Sequence, residues 1–118
     1  MALRDLNELK DRLRKFAIER DWDKFHDPKN ISMALVVEVA EIIEHFQWVN
    51  GHESLDVDIS KKESVSLELA DVLMYLVRLA DVLEIDLLEA CERKLDINDE
   101  RFCKKTVRTP KDPKNLKT

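Results

Sequence analysis

The alternation of apolar and polar positions along the chain predicts helices throughout. Near the start, apolar side chains recur every three or four positions, which is the spacing of one helix face; they are Leu6, Leu9, Leu13, Phe16 and Ala17. This stripe predicts a first helix over 3–20. The pattern changes over 31–43 and 67–77, because these two segments are apolar almost all the way round.

Helix-capping signals predict where the other three helices begin. Asp27-Pro28 places a capping residue before a proline, a common helix start. Ser60-Lys61-Lys62-Glu63 has the pattern of a capping box, and Asp86-Leu87-Leu88-Glu89 repeats it. With the ends placed where polar residues resume, the predicted helices cover about 28–49, 60–84 and 87–104.

The composition favours an all-α fold of one domain. The 118 residues include one Gly and three Pro, too few for the many turns of a β-rich chain. We expect a bundle of four main helices over 1–104, followed by a basic tail over 105–118. The composition of this tail is typical of a flexible terminus, and the alternative is that it supplies cations near an anionic ligand. The second and third helices are too apolar to expose one face each, so we expect subunit association to complete the bundle.

Each of the two apolar segments carries one pair of acids. The only charged residues within 31–43 and 67–77 are Glu38, Glu41, Glu68 and Asp71. Acids on buried helices are costly unless their charge is compensated. Residues three positions apart lie about 60° apart on a helix surface, so each helix presents two carboxylates together. Two such faces opposite each other predict a site for a hard divalent cation, Mg²⁺ or Mn²⁺.

Salt bridges, iron and zinc account for these acids less well than a hard cation does. Salt bridges would need more cations than Arg78, which is the only one in or shortly after 67–77. A di-iron bundle needs Glu-x-x-His on two helices, whereas Ile42 precedes His45 at that distance and the third helix has no His. Zinc would need soft ligands nearby. A Mg²⁺ site with an open side usually receives phosphate oxygens.

Seven further residues are candidates for contacts with a phosphate-bearing ligand, and each has a plainer interpretation. They are Trp22, His26, Trp48, Tyr75, Lys94, Asn98 and Arg101. The last three share one face of the fourth helix and can hold phosphates, although such a strip is also typical of a solvated face. The aromatic residues can stack on a nucleobase or pack in the core. The histidine can bond to a ligand or face solvent.

Charge and hydropathy exclude two classes of partner. The net charge of −5 offers no basic surface for nucleic acid. Apolar stretches such as Met33–Val37 are far too short to span a membrane. Cys91 and Cys103 would lie roughly 18 Å apart on one helix, beyond disulfide reach. Two thiols without partners suit a reducing cytoplasm.

The acid pairs and the segments around them resemble those of a known family. Glu38-Val39-Ala40-Glu41 followed by Glu68-Leu69-Ala70-Asp71 is similar to the signature of the all-α nucleotide pyrophosphohydrolases, the MazG-like superfamily. Further segments resemble its dCTP pyrophosphatase branch: Arg20-Asp21-Trp22, Phe25-His26-x-Pro28-x-Asn30, Phe46-Gln47-Trp48, 71–77 and Lys94-x-x-x-Asn98-x-x-Arg101. The resemblance extends over nearly all of 9–102.

The resemblance implies an enzyme that hydrolyses a nucleoside triphosphate between its α- and β-phosphates, with Mg²⁺ required. We expect dCTP or a related pyrimidine deoxynucleotide as substrate, and a role in nucleotide-pool sanitation. Members assemble as dimers or dimers of dimers, so a homodimer or homotetramer is implied. Open alternatives are a broad-specificity, dUTP or phosphoribosyl-ATP pyrophosphohydrolase, and a non-catalytic nucleotide-binding helical oligomer.

The resemblance also implies roles for the candidate residues. The metal ligands are Glu38, Glu41, Glu68 and Asp71; the base and sugar contacts are Trp22, His26, Trp48 and Tyr75; the phosphate contacts are Lys94, Asn98 and Arg101. For the general base that orients the attacking water, both Glu41 and Glu44 are candidates.

Overall fold

The computed structural model describes residues 2–102, which form four α-helices and no strand. The helices are α1 (Leu6–Glu19), α2 (Pro28–Glu44), α3 (Ile59–Val82) and α4 (Leu87–Arg101). Short 3₁₀ turns at Asp23–Phe25 and Glu53–Leu55 lie in the connections after α1 and α2. This architecture confirms the all-α prediction.

The chain divides into two compact units, Met1–Ile85 with α1, α2 and α3, and Asp86–Thr118 with α4. The single domain expected over 1–104 stays a prediction, and the tail expected over 105–118 lies outside the described residues. No helix within 2–102 combines the length and apolar content needed to cross a bilayer.

An aspartate side chain caps the first turn of each of these four helices. The capping residues are Asp5, Asp27, Asp58 and Asp86, whose carboxylates accept hydrogen bonds from backbone N–H groups three residues on. The starts of α2 and α4 are therefore as predicted. The capping box expected at Ser60 is wrong, because Asp58 accepts from the N–H of Lys61 at 2.7 Å. A charged carboxylate at a helix N-terminus is also favoured by the helix dipole.

Helix α2 ends at Glu44, earlier than the predicted end near Val49. The backbone N–H of His45 bonds to the carbonyl of Ile42 at 3.1 Å, and that of Phe46 bonds to Ile43 at 2.9 Å. Bonds to the third preceding residue tighten the chain out of the α-helical path. Residues 45–49 therefore form turns.

The core of the first unit lies around α3, which contacts both α1 and α2. The buried apolar side chains of the described residues are Leu9, Ala17, Ile31, Val77 and Ala80. Many other apolar side chains of α2 and α3 stay exposed, among them Met33, Val36 and Leu67, at 59%, 68% and 61%. Residues 2–102 thus cover only part of the apolar surface of these two helices.

Helices α1 and α3 end in the same kind of turn. Asp21 and Glu84 both have a φ of 56°, in the left-handed region that favours glycine. In the residues that follow, the N–H groups of Trp22 and Ile85 bond back to the carbonyls of Ala17 and Ala80 at 2.8 Å. This is the hydrogen-bond pattern of a Schellman motif. After α1 it directs the chain into the connection that carries Trp22 and His26.

Candidate functional site

Helices α2 and α3 lie antiparallel, which brings their acids face to face. His26, just before α2, bonds to Arg78 near the end of α3. His45, just after α2, contacts Glu68 nearer the start of α3. Glu68 and the three acids between these two contacts, Glu38, Glu41 and Asp71, are here called the carboxylate cluster; all four are half-buried. The sequence prediction that the two acid pairs face each other is consistent with this geometry.

The electrostatics of Glu38 show how closely these acids interact. Burial raises the pKa of its carboxyl group, and the negative charges of the other three acids raise it further. A hydrogen bond with Glu41 also raises this pKa, because a protonated Glu38 can donate to the Glu41 carboxylate. The cluster is therefore a region where negative charge accumulates at a cost in free energy.

The cations of the described residues compensate the charge of the cluster only weakly. Within 2–102 no Lys or Arg forms an ion pair with any member of the cluster. Arg78, the one cation nearby in sequence, is bonded to His26 and Asp81 instead. The basic side chain that does reach the cluster is His45, whose Nε2 lies 2.6 Å from Oε2 of Glu68. The sequence pattern did not predict this contact.

Two carboxylate oxygens of the cluster lack hydrogen bonds. Oε2 of Glu38 and Oε2 of Glu68 are both buried without a hydrogen-bond partner. The His45 contact is within ion-pair distance but does not have the geometry of a hydrogen bond. Buried polar atoms are normally paired, so two unpaired oxygens in one cluster point to a role beyond packing.

The donor chemistry of the cluster fits a hard divalent cation. All four side chains offer oxygen, and two of these oxygens are buried without a hydrogen bond. Among residues 2–102, no three His, Cys, Asp or Glu side chains are already gathered in a metal-binding arrangement. The match between the cluster and a hard divalent cation therefore depends on the type of donor atom and on the two oxygens without hydrogen bonds.

The two candidates for the general base lie in different surroundings. Glu41 is half-buried within the carboxylate cluster, whereas Glu44, at the last position of α2, is exposed. A base must reach the water that it orients. If the cluster is the reacting centre, Glu41 is the better placed of the two.

The four candidates for base and sugar contacts have separate environments. The Trp22 ring packs edge-to-face on Phe16 with centroids 5.5 Å apart, and 46% of the residue is exposed. Trp48 is 88% exposed, while Tyr75, one turn beyond Asp71, is half-buried. Among the described residues no ring contact joins these three aromatic side chains to one another.

The fourth of these candidates, His26, lies in a network of charged side chains that the sequence pattern did not predict. Nε of the buried Arg78 donates to Nδ1 of His26 at 3.0 Å, and its Nη1 donates to Oδ2 of Asp81 at 3.2 Å. Arg14 of α1 pairs with the same aspartate through Nε, at 3.0 Å, and through Nη2. The signal in the sequence was Arg78 itself, a lone cation in the apolar helix.

The pKa values of His26 and Asp81, at the two ends of this network, are both lowered, but burial acts in opposite directions on them. Burial lowers the pKa of His26, and the positive charge of Arg78 lowers it further, while Asp23 acts in the opposite direction. The hydrogen bond from Arg14 lowers the pKa of Asp81, against a smaller opposing effect of burial. The network thus favours a neutral imidazole beside an ionised carboxylate.

The three candidate phosphate contacts lie on α4, in the second unit. Lys94 is exposed, Oδ1 of Asn98 is buried without a hydrogen-bond partner, and the Arg101 guanidinium lies 5.4 Å from the centroid of the Phe102 ring. Their spacing places them along one side of α4.

Comparisons with known proteins identify the family to which the chain belongs. The sequence model that describes the MazG-like family matches residues 33–111 of this chain. Human dCTP pyrophosphatase 1 is 47% identical over 90 residues, which cover 75% of this chain and 53% of that protein. The mouse protein of the same name is 46% identical over the same coverage. The chain spans about half the length of the curated relatives that it matches.

A solved structure shares the fold over most of its length. The crystal structure of a pyrophosphatase from Archaeoglobus fulgidus superposes with a TM-score of 0.80 at 41% identity, covering 88% of this chain and 97% of that one. Fold and site together define an all-helical protein whose two central helices share a cluster of carboxylates. The chain belongs to the MazG-like family.

Proposed function

We propose that this protein is a metal-dependent nucleoside triphosphate pyrophosphohydrolase that converts dCTP, or a related or modified pyrimidine deoxynucleotide, to the monophosphate and pyrophosphate. The observation that carries the proposal is the carboxylate cluster, with its uncompensated charge and unpaired buried oxygens. The names of the relatives, dCTP pyrophosphatase 1 and a pyrophosphatase, support the same activity. Its role would be nucleotide-pool sanitation in the cytoplasm.

The cluster is the proposed binding place of Mg²⁺, with Mn²⁺ as a substitute. Its ligands would be Glu38, Glu41, Glu68 and Asp71. When bound, such an ion neutralises phosphate charge and lowers the pKa of a coordinated water. Repulsion within the cluster favours binding, because a divalent cation relieves the charge that raises the pKa of Glu38.

Side chains of this protein would activate the attacking water and bind the nucleotide. Glu41 would accept the proton of the water that attacks phosphorus, since it lies in the cluster while Glu44 is exposed. Trp22, His26, Trp48 and Tyr75 would contact the base and sugar; Lys94, Asn98 and Arg101 would hold phosphates. The large exposed ring of Trp48 is available for stacking on a base.

The apolar surfaces left open on α2 and α3 favour a homodimer or homotetramer. Side chains such as Val36 and Leu67 are more than half exposed, and exposed apolar patches of this kind mark interaction surfaces. Light scattering after size exclusion at micromolar concentration should give the mass of two or four chains. Leu67→Glu should shift this mass toward one chain. Leu55→Glu, in the loop after α2, is the matched control and should not.

The activity is tested by pyrophosphate release. With Mg²⁺ and dCTP, Glu68→Ala and Asp71→Ala should each lower kcat/KM by orders of magnitude, because ligands of one site act as a unit. Glu63→Ala removes an exposed carboxylate from the same helix and should stay close to wild type. Near-normal turnover in both Glu68→Ala and Asp71→Ala would refute the proposed mechanism.

A panel of canonical and modified nucleotides separates the remaining alternatives. Pyrophosphate release that is faster from dUTP or phosphoribosyl-ATP than from dCTP, or equal from all triphosphates, would show that the proposed substrate is wrong. The proposed type of reaction would still hold. Calorimetric binding of dCTP without pyrophosphate release, at every Mg²⁺ concentration and pH tried, would instead indicate a nucleotide-binding oligomer without catalysis.

A further inference from the structure

The hydrogen bond between Arg78 and His26 fixes which imidazole nitrogen carries the proton. A guanidinium has N–H donors and no acceptor, so Nδ1 of His26 must accept at the observed distance of 3.0 Å. An accepting nitrogen is unprotonated. In the neutral ring the single proton therefore lies on Nε2, which is left as a hydrogen-bond donor.

Arg78 is itself held in place by burial and by hydrogen bonds, so it can determine which nitrogen of His26 carries the proton. Only 9% of the residue is exposed, and Nη1 donates to Asp81. Asp81 also receives two hydrogen bonds from Arg14, so α1 and α3 are joined at this point. The bonds from Nε to His26 and from Nη1 to Asp81 together hold the Arg78 guanidinium at two of its nitrogens. The orientation of the His26 ring is thereby set by a side chain 52 residues further along the chain.

The position of this contact relates it to the carboxylate cluster. Arg78 lies seven residues after Asp71 on the same helix, which places it roughly 10 Å further along the axis and on nearly the same side. His26 is half-buried at this end, in the connection that also carries Trp22. A ligand whose phosphates lie at the cluster could extend its base or sugar toward this end of α3.

We propose that Arg78 is a positioning residue that holds His26 as its Nε2–H tautomer, so that His26 donates a hydrogen bond to an acceptor atom on the base or sugar of the nucleotide. The inference rests on the proposed function for the contact between His26 and the nucleotide. The tautomer itself rests on the geometry alone. The lowered pKa of His26 agrees with it, because a ring that stays neutral keeps Nδ1 free to accept from Arg78.

The first measurement concerns the tautomer and needs no substrate. The chain has three histidines, so long-range proton–nitrogen NMR spectra of the full-length protein are simple, and His26→Gln identifies the signals of His26. At neutral pH the wild-type spectrum should show Nδ1 unprotonated and Nε2 protonated. In Arg78→Met, which keeps side-chain length and removes the donors, the signals should move toward a mixture of tautomers. A wild-type spectrum with the proton on Nδ1 would overturn the proposal.

The second measurement separates positioning from a merely structural role. Arg78→Met should raise KM for dCTP about tenfold, the loss expected for one hydrogen bond, with kcat little changed. Glutamine at position 26 carries its amide N–H near the place of Nε2–H and needs no tautomer to be selected. In the His26→Gln background, Arg78→Met should therefore raise KM by far less.

The outcomes are distinguishable from failure of the proposed function. If dCTP and the other nucleotides are not hydrolysed, the NMR spectra still test the tautomer. If Arg78→Met raises KM equally in both backgrounds, Arg78 acts through the fold and not through His26. If that variant does not fold, Asp81→Asn, which frees one anchor of the guanidinium, takes its place in the same comparison. Equal effects of Asp81→Asn in both backgrounds would likewise refute the positioning role.

Discussion

His45 touches Glu68 across the boundary between α2 and α3, with Nε2 2.6 Å from Oε2. This imidazole carries at most one positive charge, whereas the carboxylate cluster carries up to four negative ones. The same Oε2 lacks a hydrogen bond, so the contact leaves the cluster incompletely paired. The cluster should therefore be a source of instability in the absence of a divalent cation.

Neutralising one acid of the cluster should stabilise the metal-free protein while removing activity. In EDTA, Glu38→Gln should raise Tm by a few degrees, because burial and three neighbouring acids disfavour the charge of Glu38. Glu63→Gln, on an exposed part of α3, should leave Tm unchanged. Differential scanning calorimetry makes the comparison, and adding Mg²⁺ should raise Tm more for wild type than for Glu38→Gln. A lower Tm for Glu38→Gln in EDTA would contradict this.

Loss of the Asp81 charge should destabilise the first unit in a pH-dependent manner. The hydrogen bond from Arg14 lowers the pKa of Asp81 in the folded state. Its contribution is therefore fully present above the unfolded pKa of about 3.9 and is lost as the pH falls through the lower folded value. Asp81→Asn should cost about 2 kcal/mol in urea unfolding at neutral pH, since the nearly buried Asp81 carboxylate loses its charge pairs with the buried Arg78 and the half-exposed Arg14. The cost should shrink in acid, and a cost that stays constant below pH about 3 would rule out this origin.

A glycine at the end of α3 should stabilise the protein. Glu84 adopts a φ of 56° in the Schellman turn, where a side chain is unfavourable. Glu84→Gly should raise the free energy of unfolding by about 1 kcal/mol, measured by urea titration, because relief of this strain exceeds the added chain entropy of glycine. Glu84→Ala is the control, since it removes the same charge but keeps a Cβ. An equal gain in both variants would assign the effect to charge.

Removal of the exposed indole of Trp48 should affect binding and leave the fold intact. With 88% of the residue exposed, Trp48→Ala should change the free energy of unfolding by no more than about 0.5 kcal/mol. If Trp48 stacks on the base, KM for dCTP should rise about tenfold, as expected for loss of one aromatic contact. Light scattering on the same samples is needed. A fall in the mass of the oligomer would assign Trp48 to a subunit interface and not to the base.

Local signals in the sequence predicted the starts of helices better than their ends. Asp27 and Asp86 cap the turns that follow them directly, so their role depends on a few adjacent residues. Near Ser60 the sequence offers two possible capping residues, and the structure shows that Asp58 is the one that caps α3. The end of α2 at Glu44 depends on how the chain turns toward α3, which a helical pattern of apolar residues does not record.

The same distinction applies to the candidate site. Spacing within each helix was enough to predict that Glu38 and Glu41 share a face, and that two such faces could meet. The bond between Arg78 and His26 joins residues 52 positions apart, through a connection with no regular pattern. The sequence could only mark Arg78 as unusual, because a lone cation in an apolar helix needs a partner. It could not identify that partner.

The small set of buried apolar side chains has a consequence for how the protein should behave when diluted. Within 2–102, the enclosed side chains are Leu9, Ala17, Ile31, Val77 and Ala80. If the proposed homo-oligomer forms, a fold that encloses so little apolar surface within one chain would gain much of its stability from surfaces shared with other copies. Mass action then links unfolding to association, and the unfolding midpoint should rise with protein concentration. Specific activity would accordingly fall below a threshold concentration, even with substrate and Mg²⁺ in excess.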